Sequence, residues 1–273
     1  MVTTLTPCST RKGGNVGYFE YIILYFCALM IGVSKAGFGG GTGLIVTPLL
    51  ASIMPAKEAV GLMLPLLFIT DIFSLFYYFG KWDKKNVIGL LPGALIGILI
   101  GTLILKDISD IYLKKTIGVI ACTFVVVQLL RTQLVRANTV IKFQYWHGIP
   151  AGMATGLTST LAHIGGVITS MYLLPQKLSN QAFVGTTTGI YFLINAAKIG
   201  PYIYLKLFTR FSLFHDLIAV PMIAIGVLVG IFLNKRISSA LFSNIILVVV
   251  FATGLQLSGL AGFLWHIFQR VFS

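Results

Sequence analysis

A lysine stands among glycines near the start of the chain, in the stretch "GVSKAGFGGGTG" at residues 32–43. Each glycine weakens a helix by about 1 kcal/mol relative to alanine, so the stretch predicts a break in the surrounding helix. A helix that restarts after a break presents unpaired N–H groups with partial positive charge, and Lys35 adds a full positive charge beside them. This combination of groups suits an anion.

A second stretch, "GLTSTLAHIGGV" at residues 156–167, has the same character in the second half of the chain. An offset of 124 residues aligns Lys35 with Ser159. Both stretches therefore place a hydrogen-bonding side chain shortly before a glycine turn. His163 suits a structural bond to the neighbouring break as well as it suits a ligand or proton carrier.

An acidic residue, Asp71, lies deep within the next apolar segment, with Ser74 one turn later on the same helix face. The offset of 124 pairs Asp71 with Asn195 and Ser74 with Lys198. Ionisable groups this far into a membrane span face a cavity or a charged partner. Two compatible roles follow for Asp71: an ion pair with one of the lysines, and a carboxyl group that carries a proton during turnover.

The predicted site therefore draws on both halves of the chain. Its predicted anion-binding residues are Ser34, Lys35, Gly37, Gly39, Gly40, Gly41, Thr42, Thr158, Ser159, Thr160, His163, Asn195 and Lys198. Asp71 is the predicted proton-coupling residue. We predict no catalytic residue, metal ligand or cofactor, because the chain lacks HExxH, CxxC and Walker-type motifs.

These residues must be positioned by membrane-spanning helices. Of the 273 residues 57% are hydrophobic and 10% are charged, whereas a soluble domain has about 25% charged residues. Apolar runs of about 20 residues recur along the whole chain, as an all-α integral membrane protein requires. The net charge of +13 resides in short loops between these runs, which indicates membrane topology and lipid contact and argues against nucleic-acid binding.

The apolar segments predict about eight transmembrane helices in two duplicated four-helix halves, each opened by a glycine-rich broken helix. "PGALIGILIGTLILKDIS" at 92–109 matches "PMIAIGVLVGIFLNKRIS" at 221–238, which supports the duplication. The predicted organisation is an N-terminal tail at 1–17, a first repeat at 18–131, a linker at 132–142 and a second repeat at 143–273.

The loop charges predict the topology of these segments. If every segment crosses once, one side of the membrane holds more lysine and arginine than the other, and the positive-inside rule then places both termini in the cytoplasm. If segments 18–51 and 145–174 instead enter and return on one side, the charges divide evenly. The rule favours eight crossings, and re-entrant turns within the two long segments stay open.

At "GVSKAGFGGGTGLIVTPLL" and "GLTSTLAHIGGV" the sequence resembles the sulfite exporter TauE/SafE family, also called the toluene-sulfonate uptake permeases. The resemblance extends over nearly the whole chain from Tyr18. It implies a multi-pass transporter of the bacterial inner membrane, which moves small sulfur-containing anions such as sulfite and sulfonates between cytoplasm and exterior.

Other functions fit parts of the same pattern. Helix ends and Lys35 bind carboxylates as readily as sulfonates, so a carboxylate or amino-acid carrier stays open. An intramembrane hydrolase would use Ser159 and His163, four residues apart, but it lacks a nucleophile turn and a carboxylate to orient the imidazole. A membrane scaffold would need no buried polar cavity. The substrate, the direction of transport and the oligomeric state do not follow from the sequence.

Overall fold

The fold is known from a computed structural model, which describes residues 18–38, 43–136, 145–176, 178–208, 210–234 and 239–259. These residues form α-helices joined by short turns and two 3-10 turns, with no strand among them. In chain order the α-helices are α1 (Tyr18–Phe38), α2 (Gly43–Ile53), α3 (Ala56–Tyr78), α4 (Lys84–Asp107), α5 (Asp110–Arg136), α6 (Gly148–Ala162), α7 (Gly166–Leu173), α8 (Asn180–Tyr204), α9 (Arg210–Asn234) and α10 (Ser239–Ser258).

Local capping signals set the starts of the helices that carry the site. The Asp83 carboxylate accepts a hydrogen bond from the Asn86 N–H at 2.9 Å, which caps α4. The Ser179 hydroxyl likewise accepts from the Ala182 N–H at 3.3 Å at the start of α8. Pro55 precedes α3, where its missing N–H costs nothing because the first turn of a helix leaves its N–H groups unpaired.

Two pairs of helices pack closely and in parallel through glycines. A Cβ atom at Gly97 of α4 would collide with the Met153 carbonyl of α6, and one at Gly93 would collide with the Ile149 carbonyl one turn earlier. Contacts that advance together along both helices mean that the helices run in the same direction. The second pair, α1 and α9, repeats this arrangement with Gly226 against the Leu29 carbonyl.

Helices α3 and α8 cross in opposite directions at the centre of the fold. The start of α3 at Gly61 packs against Leu207 just after the end of α8, and Gly185 near the start of α8 packs against Lys81 just after the end of α3. Between these ends, the rings of Phe68 and Phe192 stack with centroids 5.3 Å apart. Helices α5 and α10 also pack against one another, with Gly118 beside Ser258.

Helices α6 and α7 form a hairpin instead of one continuous span. The Thr155 and Thr169 hydroxyl oxygens lie 3.3 Å apart between the two helices, and the Tyr172 hydroxyl lies beside Gly148 at the start of α6. His163 makes the turn in a left-handed conformation, with φ of 55°. The chain therefore returns toward the end of the fold at which α6 begins.

Helices α1 and α2 also reverse the direction of the chain. The Lys35 ammonium in the last turn of α1 reaches the Leu67 carbonyl, far along α3, and α2 then returns to the start of α3. The 11 residues of α2 span about 16 Å, which matches the rise along α3 from Ala56 to Leu67. The described parts of the first apolar segment are thus two helices of opposite direction, and the last turn of α1 lies inside the fold.

The outward helix faces are strongly apolar. Leu99 and Leu103 of α4 are 63% and 66% exposed, and Leu228 of α9 is 69% exposed. Apolar faces of this extent mark contact with lipid or with another protein. Among the described residues, Ala56–Tyr78 and Lys84–Asp107 are long and apolar enough to cross a membrane, and shorter apolar helical stretches cover Leu24–Lys35 and Asp216–Gly230.

The helix bounds differ in detail from the predicted organisation. Helix α5 continues to Arg136, so the first five residues of the predicted linker at 132–142 are helical. The rest of that linker and the predicted tail at 1–17 lie outside the described residues. Each predicted half contains five helices where four were expected, because the hairpins count as two helices each.

We expect Gly97→Ala to destabilise the protein by about 1–3 kcal/mol, because the added methyl group meets backbone atoms of α6 that cannot move aside. Gly200→Ala is the matched control, since a Cβ at this helical position meets nothing within 4 Å. Thermal unfolding of the two detergent-solubilised variants measures the difference. Equal midpoints for both variants would contradict the proposed close contact of α4 with α6.

Candidate functional site

A buried ion pair joins α1 to α3. The Lys35 ammonium contacts the Asp71 carboxylate and also donates to the Leu67 carbonyl at 3.2 Å. Both charged side chains are buried from solvent. Lys35 lies in the last turn of α1, where unpaired carbonyl groups carry partial negative charge, so the helix end stabilises the ammonium as well.

The same carboxylate is held from the opposite side by α8. The Asn195 side-chain amide donates to the second Asp71 oxygen at 2.6 Å. Asp71 and Asn195 are 124 residues apart, the offset at which the two halves of the sequence align, and so are the stacked rings of Phe68 and Phe192. Residues that correspond in sequence therefore meet each other where α3 crosses α8.

Lys198, one turn after Asn195 on α8, is fully buried, and its partners among the described residues are neutral. Its ammonium contacts the Ser159 carbonyl at 3.2 Å, the Ser159 hydroxyl at 3.0 Å and His163 Nδ1 at 3.0 Å. The Tyr202 ring lies with its centroid 5.8 Å from the ammonium, and its hydroxyl donates to the Thr160 carbonyl at 2.7 Å. These contacts use the hydrogen-bonding capacity of the ammonium without neutralising its charge.

The partners of His163 define its protonation state. Its Nε2 atom lies 2.9 Å from the Val60 carbonyl oxygen, which only accepts hydrogen bonds, so Nε2 carries the proton. Nδ1 then has a free lone pair and accepts from the Lys198 ammonium. His163 is therefore neutral here, and it fixes Lys198 to the turn between α6 and α7. The structure thus shows the bond across the break, one of the two roles considered for His163.

Three buried hydroxyl groups have no hydrogen-bond partner within the described residues by distance and angle. They are Thr47 of α2, Ser74 one turn after Asp71 on α3, and Tyr191 of α8. The Tyr191 hydroxyl lies near Thr169, and its ring centroid is 5.7 Å from the Lys35 ammonium. Hydroxyl groups left unpaired in the interior are costly, so they are available to a bound solute.

Tyr191 was not among the predicted site residues. It lies one turn before Asn195 on the face of α8 that also carries Lys198, so its spacing of four residues was the available signal. Tyrosine in an apolar segment is also common as a packing residue, so the spacing alone did not distinguish the two roles.

The remaining predicted residues divide into three groups. Ser34 and Ser159 are buried at the centre, as expected. Thr158 and Thr160 donate to the Ala154 and Gly156 carbonyls of their own helix, at 2.7 and 2.8 Å. Gly37 lies within the last turn of α1, where the groups without intrahelical partners are carbonyls.

Gly39, Gly40, Gly41 and Thr42 lie outside the described residues. They connect α1 to α2, which begins at Gly43, so the unpaired N–H groups of this break belong to the first turn of α2. The first turn of α7, from Gly166, is the corresponding element of the second break.

The side-chain pairing of Ser159 with His163 that a hydrolase would need does not occur among the described contacts. Lys198 lies between them, and its ammonium bonds to both the Ser159 hydroxyl and the imidazole. His163 has no carboxylate partner, because its second nitrogen faces the Val60 carbonyl. The described residues also contain no group of three or more His, Cys, Asp and Glu side chains that could hold a metal ion.

The family model described as "Sulfite exporter TauE/SafE" matches residues 24–257, a range that contains the two hairpins, the α3–α8 crossing and every predicted site residue. No curated protein and no solved structure matches the chain. The match extends over most of the chain and agrees with the apolar outer faces of the helices. The chain belongs to the TauE/SafE sulfite exporter family, a family of membrane transporters.

Proposed function

We propose that this transporter carries a small oxyanion of the sulfite and sulfonate class through a site between Lys35 and Lys198. The observation that carries the proposal is the excess of buried lysine over buried carboxylate: Asp71 contacts Lys35, and Lys198 is buried against neutral groups. A charge buried without a partner costs several kcal/mol, so the surplus cation favours a bound anion. The sulfur chemistry comes from the family, and the same charges suit a carboxylate.

The unpaired donors support an oxyanion with several oxygen atoms. Among the described residues the Ser74 hydroxyl has no hydrogen-bond partner and the Tyr191 hydroxyl lies near Thr169, and a helix start such as that of α2 leaves N–H groups without intrahelical partners. A sulfonate or sulfite group has three oxygens that accept such bonds at once, and charge strengthens each of them. In the occupied state the anion takes Lys35 from Asp71, and in the empty state the carboxylate returns.

We also propose that the halves at 18–131 and 143–273 arose by duplication and are inverted relative to each other. Three sets of contacts support this. Helix α4 packs against α6 as α9 packs against α1, and α3 meets α8 at corresponding residues. The loop that packs against Gly61 also corresponds to the loop that packs against Gly185. Each half then has one hairpin and three crossings. Inverted repeats around a central site are a common plan of alternating-access transporters.

This topology has six crossings where the loop charges favoured eight, and it keeps both termini on one side of the membrane. The loop at Lys57 then faces the same side as the loop at Lys206, because Gly61 packs against Leu207. The loop at Lys81 faces the opposite side. In the topology with eight crossings Lys81 and Lys206 would share a side, and Lys57 would not.

Three single-cysteine variants, Lys57→Cys, Lys81→Cys and Lys206→Cys, test the topology in a chain in which Cys8, Cys27 and Cys122 are replaced by alanine. We expect a membrane-impermeant maleimide to label positions 57 and 206 from one side of oriented vesicles and position 81 from the other. Labelling of 81 and 206 from the same side would establish the eight-crossing arrangement instead.

Lys35→Gln and Lys198→Gln are each expected to weaken anion binding by about 10–100-fold, since a hydrogen bond to a charged group contributes about 1.5–3 kcal/mol. Glutamine keeps most of the side-chain length and removes the charge. Lys57→Gln, a change in a loop lysine, is the control and should bind as the parent does.

The measurement is the affinity of the purified protein for methanesulfonate, sulfite, acetate and a monovalent cation. Gel filtration of each variant checks that it is folded. If Lys198→Gln and Lys35→Gln bind anions as tightly as the parent, or if the parent binds only the cation, the site assignment is wrong.

Asp71 is proposed to couple transport to protons. Asp71→Asn keeps the shape of the side chain and the bond from Asn195 but removes the proton-binding group. We expect the variant to bind anions and to lose the pH dependence of transport that the parent shows. Methanesulfonate flux into proteoliposomes, with and without a pH gradient, measures this, because the solute itself does not titrate near neutral pH. A variant with unchanged pH dependence would make Asp71 a purely structural acid.

A further inference from the structure

Among the described residues, three buried ionisable side chains lie near one another at the crossing of α3 and α8. With both lysines protonated, Lys35 and Lys198 contribute two positive charges, and Asp71 contributes one negative charge. His163 contributes none, because its Nε2 hydrogen faces the Val60 carbonyl and its Nδ1 accepts from Lys198. The net charge of these four groups is therefore a single positive charge.

No other group described near them changes this sum. Residues 36–42, from the end of α1 to the start of α2 in the sequence, read "AGFGGGT" and contain no ionisable side chain. Asp216 of α9 is also buried, but within the described residues its oxygens bond to neither lysine. Tyr191 and Tyr202 are neutral phenols.

We propose that this single surplus charge makes the site selective for monoanions over dianions, so that the transported species is a monovalent oxyanion such as hydrogen sulfite or a simple sulfonate. The inference rests on the proposed anion transport by this site. A monoanion gives a neutral occupied site. A dianion of the same shape leaves a net negative charge in an interior that cannot solvate it.

The ligand pair that isolates charge is methanesulfonate and sulfate. Both are tetrahedral at sulfur and of similar size, and they differ by one negative charge. We expect the purified protein to bind methanesulfonate at least about tenfold more tightly than sulfate at neutral pH. The two ligands differ not only in charge, because methanesulfonate has a methyl group where sulfate has an oxygen. A second experiment must therefore change the charge of the protein and keep the shape of the site.

The contact between Asp71 and Asn195 provides that change. The two side chains are nearly identical in shape and face each other at 2.6 Å across the α3–α8 crossing. Asp71→Asn raises the net charge of the site by one and should move the preference toward sulfate by about tenfold or more. The double variant Asp71→Asn/Asn195→Asp restores the carboxylate on the opposite helix, so it should restore the preference for methanesulfonate.

The test measures the affinity of the parent and both variants for methanesulfonate and sulfate, with proteoliposome flux of the same two solutes. A parent that binds sulfate as tightly as methanesulfonate overturns the inference even if the variants fail to fold. So does a double variant that folds but keeps the preference of Asp71→Asn. If the parent binds neither solute nor any other anion, the proposed function itself has failed, which is a distinct result from equal binding of both.

Discussion

The contact of Asp71 with Lys35 and Asn195 is the constraint on which the rest of the fold depends. A carboxylate buried in an apolar interior is tolerated only when its charge is matched and its oxygens are bonded, and removing one partner of such a pair costs about 3–5 kcal/mol. Here the partners come from α1 and α8, so the ion pair fixes the end of the first hairpin and the crossing of α3 with α8 together. The last turn of α1, which carries Lys35, must therefore reach the crossing.

Close helix approach allows the two hairpins to reach that point. Gly97 and Gly226 occupy corresponding positions, and each lets its helix pack against a backbone carbonyl of the first hairpin helix of the other half. A larger residue would move α6 or α1 outward and with it Ser159 or Lys35. The glycines of α4 and α9 thus act on the site at a distance through packing alone. The irregular backbone of the turn between α6 and α7 is buried in protein, as a membrane interior demands.

The sequence supported much of this and missed the rest for identifiable reasons. Alignment at 124 residues paired Asp71 with Asn195, and these residues touch. Chain reversal was not decided, because a crossing segment and a hairpin have the same apolar composition. Thr158 and Thr160 donate their hydroxyls to carbonyls four residues earlier, a local bond that residue type does not reveal.

With the proposed duplication, the differences between the halves carry as much information as the likenesses. Two identical halves meeting at an axis would contribute every charge twice, so the net charge at the axis would be even. In the first half the two aligned positions hold Lys35 and Ser74, and in the second half they hold Ser159 and Lys198. Lysine and serine have thus exchanged places, and each half keeps one lysine. The divergence of Asp71 from Asn195 is the step that makes the charge odd. A site with an odd charge fits a monovalent solute. The single carboxylate also makes the two ends of the site inequivalent, since Asp71 contacts Lys35 while the partners of Lys198 among the described residues are neutral.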